Sequence, residues 1–163
     1  MVNRLRINFT KEIQFDAFHC SEDTITQIIN WFYHELADSN VKDIVVKDDS
    51  ISFQRGIFRT PGEQRTLFNS ISNGEITVKS IGKKVVVNYR FGFSHLCFTV
   101  LIMVLLFPLL SYIVNGSKPI PLSLCLFSTI AGFAWLFGGT VWITLTRFKM
   151  MAKRIVKNCC RKD

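Results

Sequence analysis

Two uncharged, mostly apolar runs constrain this chain more than any other feature: residues 91–117 and 119–146, 27 and 28 residues long, separated only by Lys118. A helix rises about 1.5 Å per residue and the hydrocarbon core of a bilayer is about 30 Å thick, so roughly 20 apolar residues suffice to cross it. Both runs exceed that length. The sequence therefore reads as an integral membrane protein carrying a two-helix transmembrane hairpin over 93–146, with the first helix at about 93–114 and the second at about 122–146.

Charge sets the expected orientation. The chain carries a net +8, but residues 1–92 are nearly balanced, with 12 Lys and Arg against 11 Asp and Glu. The excess sits in the segment 147–163, where seven basic residues face the single acid Asp163. A basic surface confined to a membrane flank speaks against nucleic acid as a partner and for retention on the cytoplasmic side. The segment containing Lys83, Lys84 and Arg90 flanks the first helix in the same way. Both termini are thus expected in the cytoplasm, with the turn at 115–118 outside, in a multi-pass protein of the cell membrane. Residues 1–15 alternate polar and apolar and have no h-region of a cleaved signal, so the first membrane helix is expected to direct insertion. The five cysteines suggest no disulfide framework: Cys97 and Cys125 lie in the apolar runs, and Cys20, Cys159 and Cys160 fall on the reducing side. In a eukaryote, Cys159-Cys160 would be a palmitoylation candidate.

Residues 1–92 have the pattern of a small α+β domain, an antiparallel sheet with one amphipathic helix. Leu5, Ile7, Phe9, Ile13, Phe15 and Ala17 occupy odd positions, with Lys11 breaking the series, which is the period of extended structure. Ser21, Glu22 and Asp23 form a helix start, and Ile25, Ile28, Ile29, Phe32 and Leu36 recur on one helical face until Asp38-Ser39-Asn40 ends it. Further strands are expected at 42–47, 50–58, 75–81 and 84–91, with tight turns at Asp48-Asp49 and Gly82-Lys83. The connection 59–74 is long and rich in Gly, Ser, Asn and Thr. Its Leu67, Phe68 and Ile71 lack burial in a free loop, so they are candidates for docking on the sheet or on a partner. Only 92–95 separate the last strand from the first membrane helix. A spacer that short couples the sheet mechanically to the hairpin.

Within the second membrane helix Ser128 and Gly132 are spaced by four, as are Ala134 and Gly138, with Gly139 adjacent. Such small residues let helix backbones approach closely in lipid, either inside the hairpin or between copies, and make these five the helix-packing and oligomerisation candidates. Thr129, Thr140 and Thr144 form a hydroxyl row that is a candidate pore lining, though threonine often bonds its own helix. Neither helix contains Asp, Glu, Lys or Arg, which argues against a pump or coupled transporter. Trp142 and Tyr112 suit interfacial anchoring. Beyond the hairpin, Phe148, Met151, Ala152 and Ile155 form an apolar stripe among Arg147, Lys149, Lys153, Arg154 and Lys157. This is the pattern of a basic amphipathic cytoplasmic tail whose cations meet an anionic leaflet. A plain positive-inside stop signal has the same composition.

No catalytic or cofactor motif is visible. His34-Glu35 lacks the second histidine of a zinc-protease helix, and His19-Cys20 lacks a second ligand pair at zinc spacing. No metal and no cofactor is expected. The leading expectation is a non-enzymatic membrane protein whose cytosolic domain binds a partner or its own copies at the membrane face, the hairpin serving as anchor and oligomerisation element. Its partners are then the bilayer and further copies or another membrane protein. The alternative is an effector gated by a small cytosolic ligand, whose hairpins assemble into a pore or a membrane-disrupting oligomer. A membrane-tethered enzyme with a scattered site is the third class.

Overall fold

The computed structural model describes residues 7–16, 22–39, 41–54, 70–115 and 122–160. Five strands, β1 (Asn8–Asp16), β2 (Lys42–Lys47), β3 (Ser50–Gln54), β4 (Asn73–Ile81) and β5 (Lys84–Gly92), form one antiparallel sheet in the order β1-β5-β4-β3-β2. The odd-numbered residues of β1 face inward as their spacing predicts: Phe9 stands opposite Phe91, Ile13 opposite Val87 and Phe15 opposite Val85. Lys11, the break in that series, is exposed on the edge strand. An edge strand with an exposed lysine resists pairing with another chain. The β4–β5 hairpin turns at Gly82, whose φ of +63° is a conformation glycine adopts at little cost. A register shift between Lys42 and Val45, with Asp43 at φ +53°, puts a bulge in β2 and leaves Val45 and Val46 both exposed.

Helix α1 (Glu22–Asp38) follows the expected face: Ile28, Ile29, Phe32 and Leu36 are buried against the sheet. The expected cap Ser21, the expected strand residue Leu5 and the expected strand residues 55–58 lie outside the described residues.

The C-terminal half departs from expectation. Helix α2 (Ser94–Asn115) leaves β5 almost without a spacer. Helix α3 (Leu122–Phe133), a π turn (Ala134–Gly138) and helix α4 (Gly139–Cys160) then run on end to end. The helix does not stop at Arg147. Val141, Thr144, Phe148, Met151, Ala152, Ile155, Val156 and Cys159 are buried, and the apolar ones among them belong to the same core as the sheet. Residues 147–160 are therefore not a separate tail lying on a leaflet; they are a second helix of the α+β domain. The physical reason is that the uncovered half of the inward sheet face offers Tyr89 and Phe91, a drier partner for Phe148 than headgroups. Phe148 packs at ring-centroid distances of 4.7 Å from Tyr89, 4.8 Å from Phe91 and 5.9 Å from Phe32. Burial in this cluster pushes the Tyr89 phenol above its ordinary 10.0. Cys159 is buried too, which argues against its lipidation.

Among the described residues one helix, Leu126–Cys160, is long and apolar enough to cross a membrane, judged by length and composition. Its 35 residues span about 52 Å, some 20 Å more than a hydrocarbon core, and the surplus is the part that packs on the sheet. For α2 the described apolar stretch is the shorter Ser94–Leu106, and the connection 116–121 lies outside the described residues, so a two-helix hairpin is not shown.

Candidate functional site

Two features built by α2 and the long helix stand out: the joint at which both meet the sheet, and a groove between them further along.

The joint is made of small polar groups, each with a partner. The Ser72 hydroxyl accepts from the His95 backbone N–H at 3.0 Å, and the Ser72 N–H donates to the Gly92 carbonyl at 2.7 Å. A helix leaves its first-turn N–H groups unsatisfied, so a serine from a distant loop here serves as the cap of α2. On the other strut, Thr144 Oγ1 donates to the Thr140 carbonyl at 2.8 Å and lies 3.3 Å from Ser70 Oγ. Between these two serines Ile71 is 2% exposed and sits in the core. Residues 70–72 thus touch both helices at the point where they leave the sheet. The Phe93 N–H donates to the Ile7 carbonyl at 3.0 Å, tying β1 to the same place.

This geometry sorts the sequence candidates. Ile71 docks inside the chain, on the sheet, while Leu67 and Phe68 lie outside the described residues. Of the hydroxyl row, Thr140 donates to the Leu136 carbonyl at 2.6 Å and Thr144 is buried in the joint, so both spend their protons on their own helix. Thr129 is half-buried and lines the groove.

The groove, about 270 Å³, is lined by Met103, Val104, Ser128, Thr129, Gly132 and Leu136. Gly132 faces α2: a Cβ added there would meet Val104 Cγ2 at 3.9 Å. Gly138 and Gly139 face open space, and Ala134 and Ser128 are exposed. The small residues therefore divide: Gly132 serves the contact with α2, and Ala134, Gly138 and Gly139 look away from the other described residues. The π turn, which contains Ala134 and Gly138, carries one extra residue. Above it Gly132 is half-buried beside α2, below it Val141, Thr144 and Phe148 are buried, and the Thr140 hydroxyl donates to the Leu136 carbonyl of the turn. Such turns are rare and frequently lie at functional places.

The basic residues Arg147, Lys149, Lys153, Arg154 and Lys157 lie on the exposed face of α4. Arg154 pairs with Glu35 of α1 at 2.9 Å, a contact across the two helices that cover the sheet. Among the described residues no group of three His, Cys, Asp or Glu side chains is placed to hold a metal ion. His34 is exposed on α1, its ring 5.7 Å from that of Tyr33.

Neither the known protein-family models nor the curated proteins match this chain, so function has to be read from the geometry alone. Sequence reasoning missed Ser70, Ser72 and the π turn. Neither the serines nor the π turn leaves a periodic signal, since Leu136 stands at the α-helical spacing of four from Gly132 and Phe137 beside it.

Proposed function

We propose that this chain is a non-enzymatic integral membrane protein that crosses the bilayer twice, with the α+β domain at the cytoplasmic face engaging a partner or further copies of itself. The observation that carries this reading is the continuity of the long helix. Its outer half presents Phe127, Ile130 and Trp135 at 72, 68 and 81% exposure, and its inner half is core of the sheet domain. Large apolar side chains exposed in such a row need an apolar surrounding, and lipid supplies it. In this reading the second crossing is α2, and the basic flanks favour a cytoplasmic side for both termini. Because both struts are fixed to the sheet through residues 70–72, a contact made by the sheet moves the membrane helices as one body. That joint also favours the effector reading as runner-up, since a gated assembly requires coupling of this kind.

The test uses the division of the glycines. Gly138→Leu alters a face with no neighbour among the described residues, so it is expected to dissociate an oligomer while the monomer's thermal stability stays unchanged. Gly132→Leu fills the groove and disturbs the α2 contact as well. The mass of the detergent-solubilised full chain, measured for both variants, decides. A wild-type monomer would overturn the self-association reading, and extraction of the protein by alkaline carbonate would overturn the membrane reading itself.

A further inference from the structure

We infer that the exposed basic ridge of α4 binds anionic phospholipid headgroups through its upper end alone, at Arg147 and Lys149, and that Lys153 and Lys157 stand clear of the lipid. The inference rests on the membrane-spanning reading above.

The helix is upright here because its other face is committed to the sheet: Phe148, Ala152, Ile155 and Val156 are buried. It is also continuous with the apolar segment above, so depth along it is set by the helical rise. Trp142, 74% exposed, marks the interfacial level. Thr144, held against Ser70, marks the level of the joint with residues 70–72. Measured from Thr144, Arg147 lies about 5 Å and Lys149 about 8 Å down the axis, whereas Lys153 lies about 14 Å and Lys157 about 20 Å down. The polar layer of one leaflet is roughly 5–8 Å thick, and charges are screened over about 8 Å at physiological salt. Arg147 and Lys149 thus fall within the phosphate layer, and the lower two fall beyond it. Arg154, at a similar depth to Lys153, is already paired with Glu35. The ridge therefore has an upper, lipid-matched end and a lower end facing the aqueous side of the domain. A basic helix lying flat would instead engage all its cations equally.

The distinction can be measured with the full chain reconstituted in phosphatidylcholine vesicles, with and without phosphatidylglycerol. Trp31→Phe and Trp135→Phe leave Trp142 as the sole tryptophan reporter. Quenching by brominated phosphatidylglycerol relative to brominated phosphatidylcholine then gives the headgroup preference at that level. The preference is expected to fall roughly fivefold for each of Arg147→Gln and Lys149→Gln, and about 25-fold for the pair. It is expected to survive Lys153→Gln with Lys157→Gln, and to weaken as salt is raised. Equal loss from the two pairs would overturn the inference, as would the absence of any preference in the wild-type ridge. Absence of quenching by either brominated lipid would instead mean that Trp142 is not at a membrane, a failure of the underlying reading and separable from the first two outcomes.

Discussion

Phe148→Ala separates a helix that belongs to the domain from one that merely lies beside it. The side chain is fully buried and touches rings from α1 and β5. A phenylalanine buries at least about 150 Å² of apolar surface, which at about 25 cal/mol per Å² is worth some 4 kcal/mol, and large-to-small substitutions of this kind cost about 3–5 kcal/mol with the cavity included. A loss of about 4 kcal/mol lowers the folded-to-unfolded ratio roughly a thousandfold, against a typical total stability of about 5–15 kcal/mol. Amide hydrogen exchange of β5 in the detergent-solubilised protein reads this directly, because its centre opens only when the sheet does. The slowest β5 amides are expected to exchange about a thousand times faster in the variant. Met150→Ala, on the exposed side of the same helix, should change them by less than about threefold, within the ±0.5 kcal/mol usual for surface sites. If the two substitutions behave alike, α4 is not part of the domain core and the joint has no mechanical meaning.

Other expectations follow from single positions. Gly74→Ala would place a methyl group 2.8 Å from the Phe91 ring and closer still to that of Phe53, so it should cost about 1–3 kcal/mol by thermal unfolding. Gly82→Ala meets no atom but must hold a left-handed turn, and should cost about 1 kcal/mol. Deletion of Gly138 takes out the one extra residue of the π turn, so α3 and α4 should join as a regular α-helix with Gly132 and Phe148 still facing their partners, and the melting temperature should fall little; a large fall would refute the reading of the turn as one inserted residue. The Tyr89 phenol is held protonated in the native state and ionises at about 10.0 once unfolded, so its contribution is full below pH 10 and is lost as pH rises toward the higher native value. Comparing alkaline unfolding of the wild type with Tyr89→Phe isolates that loss; parallel pH curves would refute it.

The strands and α1 were legible because their partner is implied by their period. Alternation in β1 and the 3-4-7 spacing of Ile25, Ile28, Ile29, Phe32 and Leu36 each specify one dry face, and a sheet with one helix satisfies both. In α4 the same kind of pattern was present but ambiguous. Phe148, Met151, Ala152 and Ile155 announce that a face is covered, and periodicity does not say whether a leaflet or a sheet covers it. The composition changes at Arg147, but a helix has no reason to end there when its backbone bonds are internal on both sides. The bulge at Asp43 was likewise hidden: adjacent Val45 and Val46 read as one continued strand, whereas both are exposed on the edge. The joint depends on Ser70 and Ser72 reaching helices that start at Ser94 and Gly139, a proximity that only the assembled sheet creates.

The position of α4 in the chain also sets an order of biosynthesis. The ribosome delivers all five strands and α1 first, then the two apolar segments, and only afterwards the helix that seals Tyr89 and Phe91. Until then the nascent sheet keeps an oily flank open and unfinished, a state prone to aggregation and dependent on chaperones. On the membrane-spanning reading proposed above, maturation of the head waits on delivery of the apolar segments to the membrane, so a copy that misses it should be degraded instead of accumulating as a stable cytosolic form.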